Sequence, residues 1–104
     1  MAQGKLVRDK IPQIIAAAGK TPITRILSHQ EYLEELDKKL NEEIAEYRAD
    51  KSIEEMADVL EVLFAICQAR GHSVEELMKV REEKRKARGG FEQKIFWSGS
   101  NAKR

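Results

Sequence analysis

Two pairs of acidic residues lie close together in this sequence and could perform chemistry. The first pair is Glu43 and Glu46, and the second is Glu55 and Asp58. In each pair the second residue follows the first at i+3, which places both carboxylates on the same side of an α-helix. Carboxylates that meet at one place repel one another unless a cation neutralises them, and hard divalent cations prefer oxygen ligands. The spacing therefore predicts a metal site for Mg²⁺, with Mn²⁺ as an alternative.

A short polar break at residues 49–52 separates the acidic pairs and decides how the helices that carry them are arranged. The first long helix is expected from Gln30 to about Ala49, and the second from Ile53 to about Arg70. Because so short a connection turns the chain back, the two helices should be antiparallel neighbours. The carboxylates would then converge in a groove of a helical bundle.

The second long helix is predicted to be apolar around most of its circumference. Its apolar arc spans roughly 220°, whereas an ordinary surface helix has a stripe of about 100°. The arc contains Met56, Ala57, Val59, Leu60, Val62, Leu63, Phe64, Ile66 and Cys67. Glu55 falls inside the arc and Asp58 at its edge. A carboxylate in apolar surroundings needs a cation or hydrogen-bond partners, which supports the metal site.

Glu55 has a second interpretation, because Ser52 and Glu55 also form the pattern of a capping box. In that motif the Glu55 carboxylate would accept a hydrogen bond from the Ser52 amide. Capping and metal ligation both stay open for this residue. The other three carboxylates have no capping role.

A row of cations follows the apolar stripe of the third helix, which Ser73 is expected to cap. The stripe begins with Val74, Leu77 and Met78. At the same helical spacing it continues as Arg81, Lys84, Arg85 and Arg88. These long side chains either extend over the end of the bundle with their charges in water, or bind phosphate groups.

The acidic motifs resemble those of the MazG-like all-α nucleoside triphosphate pyrophosphatases, a superfamily that includes phosphoribosyl-ATP pyrophosphohydrolases. The matching segments are the EExxE pattern at residues 42–46 and the ExxD pattern at residues 55–58. Two flanking segments, residues 5–12 and 88–96, resemble a small subgroup of that superfamily. The resemblance therefore extends over nearly the whole chain.

This resemblance implies an enzyme that hydrolyses a nucleoside triphosphate, or a related nucleotide, to a monophosphate and pyrophosphate. It implies that the metal-binding and catalytic residues are Glu43, Glu46, Glu55 and Asp58. The residues expected to hold the phosphates are Lys84, Arg85 and Arg88, with Lys5 and Arg8 from the basic N-terminal arm. The resemblance also implies a homo-oligomer, either a dimer or a larger assembly.

Two other functional classes stay open. One is a nucleotide-binding regulatory protein of the same fold with little turnover. The other is a helical oligomeric interaction module in which the charged residues are ordinary surface. Nucleic-acid binding is not expected, because the net charge is only +1 and the basic row is short.

Composition and length predict one small all-α domain over residues 1–104. Charged residues make up 36% of the chain and aromatic residues only 6%, which is typical of a helical protein with an aliphatic core. The expected order is a short N-terminal helix, two long antiparallel helices, a third helix and an extended C-terminal strap, followed by a frayed tail at residues 98–104. Without a signal peptide or a transmembrane run, the protein is expected to be soluble and cytoplasmic. A partner subunit should cover the exposed part of the second long helix.

Overall fold

The computed structural model describes residues 4–102, and its regular secondary structure within that range is entirely helical. The helices are α1 (Ile11–Ala17), α2 (His29–Asp50), α3 (Ile53–Ala69) and α4 (Val74–Arg88). The prediction of an all-α fold is confirmed, and the helices begin and end close to the predicted positions. In the described part of the chain, no helix combines the length and the apolar character that crossing a membrane requires.

The chain forms two compact units, the first ending at Val74 and the second beginning at Glu75. The first unit contains α1, α2 and α3. The second contains nearly all of α4 and the segment that follows it. The acidic pairs lie in the first unit and the basic row in the second.

A complete capping box begins α2. The Ser28 hydroxyl accepts a hydrogen bond from the Glu31 amide at 3.2 Å, and the Glu31 carboxylate accepts one from the Ser28 amide at 3.1 Å. Arg25 also donates to this carboxylate, at 3.3 Å from Nη1 and 2.9 Å from Nη2. The hydrogen bonds from Arg25 and Ser28 lower the pKa of Glu31 from 4.5 to about 2. An ionised Glu31 therefore stabilises the start of α2.

This low pKa predicts a specific pH dependence for Glu31→Gln. Between the ordinary pKa and the folded-state pKa, the unfolded chain binds more protons than the folded chain, so ionised Glu31 stabilises the fold above pH 4.5 and the stabilisation disappears towards pH 2. Gln keeps the capping hydrogen bond but loses the ion pair. Urea unfolding should show a variant that is less stable than wild type at neutral pH, with a difference that shrinks as pH falls. Arg25→Met should behave in the same way, and a difference that persists at low pH would assign the effect to capping alone.

The connection between α2 and α3 consists of Lys51 and Ser52. Lys51 adopts a left-handed conformation with φ 58°, and its amide donates to the Tyr47 carbonyl at 2.6 Å, which ends α2. Ser52 begins α3 by accepting the Glu55 amide at 3.3 Å. Ile44 and Tyr47 of α2 line one small pocket together with Met56 and Val59 of α3. The end of α2 thus lies beside the start of α3, as expected for antiparallel helices.

The interior of the first unit is small. Among the described residues, the buried apolar side chains are Leu36 on α2 and Val62 on α3, at 2% and 8% exposure. Leu33, Leu40, Ile44 and Tyr47, the rest of the predicted core stripe of α2, are half-buried. Glu43 is also buried, at 7% exposure, although its predicted position was beside the stripe.

Gly89, with φ 85°, ends α4, and its amide donates to the Arg85 carbonyl at 2.7 Å. Residues 91–102 form a turn followed by irregular chain. The apolar side chains of this segment are exposed: Phe91, Ile95, Phe96 and Trp97. The C-terminal strap and the frayed tail both stay predictions, and residues 103–104 of that tail lie outside the described residues.

Candidate metal centre

The structure brings three of the four predicted carboxylates together in the groove between α2 and α3. Glu43 from α2 and Glu55 and Asp58 from α3 each offer one oxygen, and these oxygens all lie within 4.8 Å of one another. The fourth, Glu46, is exposed and is not one of this group. We call Glu43, Glu55 and Asp58 the carboxylate cluster.

Glu43 occupies a position that would normally hold a core residue. It follows the buried Leu36 at i+7, which places both side chains on the same side of α2. The antiparallel turn at Lys51 and Ser52 brings the start of α3 opposite this position. Glu55 and Asp58 lie in the first turns of α3, so this turn places both of them near Glu43.

Two oxygens of the carboxylate cluster are buried and have no partner. They are Glu43 Oε2 and Glu55 Oε2, and neither accepts a hydrogen bond. Buried polar atoms in proteins are nearly always hydrogen-bonded, and leaving one unsatisfied costs about 1–3 kcal/mol, with more for a charged group. A divalent cation with a preference for oxygen would satisfy both atoms at once. The donor set and the orphaned oxygens therefore fit Mg²⁺ or Mn²⁺.

The pKa values of both glutamates are raised, chiefly by burial and then by neighbouring carboxylates. Burial raises the pKa of Glu43, the charge of Glu46 raises it further, and the neighbouring Lys39 only partly opposes the shift. Burial also raises the pKa of Glu55, followed by the charges of Glu46 and Asp58. Glu46 thus acts electrostatically on the carboxylate cluster although it does not join it.

The structure also bears on the two interpretations of Glu55. The Ser52 hydroxyl accepts the Glu55 amide, which is half of a capping box. In the box at the start of α2, the Glu31 carboxylate completes the motif with the Ser28 amide. Glu55 makes no equivalent bond, and its Oε2 is buried without a partner. The carboxylate is therefore directed to the cluster, and the cap is supplied by Ser52 alone.

Three basic side chains contact the acidic groove. Lys39 Nζ lies 3.4 Å from oxygens of both Glu42 and Glu43. From the N-terminal arm, Arg8 Nη2 lies 2.6 Å from Asp58 Oδ1, and Lys5 Nζ lies 3.4 Å from Glu42. Lys5 and Arg8 therefore lie at the groove beside the carboxylates. Their predicted contact with phosphates stays a prediction.

Lys39 was not identified from the sequence as a functional residue. Its spacing to Glu43 is i,i+4, the signal for a helical ion pair, but many surface pairs share it. Its side chain is only 15% exposed, so this lysine contributes a partly desolvated positive charge. The charge of Lys39 also affects the pKa of Glu42. Burial would raise this pKa, but Lys39 and Lys5 hold it below its ordinary value.

The predicted basic row lines a separate pocket within the second unit, with a volume of about 820 Å³. Its lining consists of Arg81, Lys84, Arg85, Arg88, Gly89, Gly90, Phe91 and Glu92. Every one of these residues is exposed. We call this pocket the basic pocket.

Part of this chain is similar to a known protein. A stretch of 49 residues, 47% of this chain, is 59% identical to a protein of Mycolicibacterium smegmatis described as uncharacterized. The match covers 48% of that protein, so the aligned segment spans about half the length of each. No family model matches the chain, and no solved structure does.

Proposed function

We propose that this protein hydrolyses a nucleoside triphosphate, or a related nucleotide, to a monophosphate and pyrophosphate with the help of Mg²⁺. The observation that supports the proposal is the carboxylate cluster with its two buried, unpartnered oxygens. The resemblance of the acidic motifs to MazG-like pyrophosphatases supplies the reaction class. When bound, Mg²⁺ supplies a positive charge that offsets the phosphate charge, and it activates water for attack on phosphorus.

In this proposal, different residues bind the metal ion and the phosphate groups. Glu43, Glu55 and Asp58 hold the ion, and Glu46 adds negative charge from the edge of the groove. Arg8 contacts Asp58, so a phosphate that approaches the groove would meet a guanidinium group there. Lys84, Arg85 and Arg88 hold phosphates in the basic pocket.

The direct test is a panel of canonical and modified nucleotides, incubated with Mg²⁺ and assayed separately for pyrophosphate and phosphate. Pyrophosphate release that is abolished by a chelator would support the proposal. Release of phosphate alone would replace it with a different hydrolase activity. Nucleotide binding without turnover would favour the regulatory protein, and neither binding nor turnover would favour the interaction module.

Metal binding predicts a shift in thermal stability. At about ten times its Kd, a ligand that binds only the folded state stabilises it by about 1.4 kcal/mol, which corresponds to several degrees in Tm for a domain of this size. Mg²⁺ should therefore raise the Tm of wild type and of the control Glu54→Gln, and much less that of Glu43→Gln. Because protons compete for the carboxylates whose pKa is raised, the shift should grow as pH rises. An unchanged Tm in wild type, with nucleotide present, would remove the metal site.

We propose further that a second copy of this chain covers an apolar face of α3. This face carries Ile53, Met56, Leu60 and Leu63, which are 75%, 49%, 47% and 40% exposed. Their spacing places them on one side of the helix. The small interior formed around Leu36 and Val62 leaves this face of the helix as an apolar surface that a partner could cover. A two-fold dimer is the simplest arrangement that would bury it.

The variant Leu60→Asp tests this face. Burying a carboxylate in an apolar interface without a partner is costly, so the variant should behave as a monomer while keeping its helix content. Light scattering coupled to gel filtration would measure the mass, and circular dichroism the helicity. Ile23→Asp is a matched control, because Ile23 is 99% exposed and lies outside α3. A wild-type protein that is already monomeric would contradict the proposal.

A further inference from the structure

The four cations of the basic pocket are unequally paired. Arg81 contacts Glu82 at 3.4 Å, and Arg85 contacts Glu92 at 2.8 Å. The side chains of Lys84 and Arg88 make no hydrogen bond or ion pair with any described residue. Positive charges gathered around one concave surface repel one another, and a bound polyanion relieves that repulsion. The pocket therefore has two available cations and two that are already engaged.

Glu92 provides an internal anion for this pocket. The chain reverses direction at Gly89 and Gly90, which returns Glu92 to the side of α4 that carries Arg85. Gly90 lies beside this contact, and a Cβ atom there would require the flexible ends of the Arg85 and Glu92 side chains to shift. The Glu92 carboxylate thus occupies a guanidinium that could otherwise bind a phosphate oxygen.

The Arg85–Glu92 pair is weak enough to be displaced. The two side chains are 49% and 67% exposed, so solvent screens their attraction and the pair contributes little to stability. A phosphate group presents more negative charge than a carboxylate and more acceptor oxygens to an arginine. A polyphosphate held first by Lys84 and Arg88 would therefore compete effectively with Glu92 for Arg85.

Phe91 indicates that the ligand carries a nucleobase in addition to phosphates. It lines the same pocket, and its side chain is 98% exposed. An exposed aromatic ring beside several cations is the arrangement that binds a nucleobase by stacking while the cations bind its phosphates. The volume of about 820 Å³ is within the range of small-molecule sites.

We infer that the basic pocket binds a nucleoside polyphosphate without a metal ion, and that the phosphates displace Glu92 from Arg85. The inference rests on the proposed function for the class of ligand. Its site lies wholly within the second unit, and it needs neither the carboxylate cluster nor turnover. Glu92 is then a determinant of affinity, since every ligand must compete with it.

Calorimetric titration of the full chain in the presence of a chelator tests the inference, with inorganic tripolyphosphate as the probe. Wild type should bind it, and Glu92→Gln should bind it about 1.4- to fivefold more tightly, because the competing charge is gone. Glu83→Gln is the control: it makes the same charge change on α4, outside the pocket lining. It should change affinity much less than Glu92→Gln. No binding by wild type, or equal effects of the two variants, would overturn the inference.

A second titration, with ATP as the probe, tests the nucleoside part. Wild type should bind ATP more tightly than tripolyphosphate, and Phe91→Ala should remove about five- to a hundredfold of ATP affinity while leaving tripolyphosphate binding unchanged. Equal losses for both probes would overturn the stacking role of Phe91. Because no metal ion is present and binding is the readout, these results do not depend on whether the protein hydrolyses nucleotides.

Discussion

The variant Glu55→Gln should lose nucleotide hydrolysis by about 10²–10³-fold, the scale of removing one preorganised electrostatic contact from an active site. It should nevertheless fold as well as wild type. The physical reason is that Glu55 supplies charge to the carboxylate cluster, whereas its contribution to helix capping comes from its backbone amide. Gln keeps the size and the amide but cannot provide the charge that a divalent cation requires.

Stability and activity should therefore separate in this variant. The pKa of Glu55 is raised, chiefly by burial and then by neighbouring carboxylates, so the folded state disfavours its ionised form. Without metal, wild type should lose stability as pH rises from the ordinary glutamate pKa through the raised one, because the folded chain there binds more protons than the unfolded chain. Glu55→Gln lacks this loss, so its advantage in unfolding free energy should increase with pH.

The measurements are initial rates of pyrophosphate release, and chemical unfolding across a range of pH. Both are made on Glu55→Gln and on the control variant Glu54→Gln. Glu54 precedes Glu55 on α3, is exposed, and lies outside the cluster, so it controls for the loss of one charge. Activity near wild type in Glu55→Gln would exclude this residue from the site. A large loss of stability at neutral pH would instead show that its carboxylate supports the fold.

The sequence alone was sufficient to predict the helices because their start and stop signals are local. Ser28 and Ser52 mark two helix starts, and the break before Ser52 is too short for any arrangement but a reversal. That reversal also brings Glu43 opposite Glu55. The position of Glu46 was less predictable, because Glu46 and Asp58 stand at the same i+3 spacing from Glu43 and Glu55, yet only Asp58 joins the cluster. The spacing alone does not decide whether the second carboxylate of a pair lies in the groove.

Contacts that depend on the path of irregular chain were not predictable. The approach of Arg8 to Asp58 requires the N-terminal arm to return to α3, and no local pattern specifies that path. The same holds for Glu92 and Arg85, whose contact depends on the reversal at Gly89 and Gly90. The exposure of Leu60 and Leu63 also depends on which side of α3 the helix α2 covers. Because the apolar arc of α3 is wide, the sequence does not show which part of it α2 covers.

The basic pocket gives the second large effect, a graded loss of nucleotide affinity across four methionine variants. Met keeps much of the hydrocarbon side chain and removes the charge, so a residue that only packs should tolerate it. A charge-assisted hydrogen bond contributes roughly 1.5–3 kcal/mol, about ten- to a hundredfold in affinity. Arg88→Met and Lys84→Met should lose that much, because neither cation is engaged with a described residue. Arg85→Met should lose less affinity, because in wild type Arg85 must give up its ion pair with Glu92 before it can bind a phosphate.

Arg81→Met should lose least, because Arg81 already contacts Glu82 and lies nearest the apolar start of the stripe. Arg88, by contrast, precedes Gly89, whose backbone conformation lets the chain turn around the pocket. Equilibrium titration with one nucleotide at constant ionic strength would rank the four variants. The order expected is Arg88 and Lys84 first, then Arg85, then Arg81. A flat response would mean that the phosphates bind elsewhere, and the arm that places Lys5 and Arg8 beside the acidic groove would then be the next set of cations to replace.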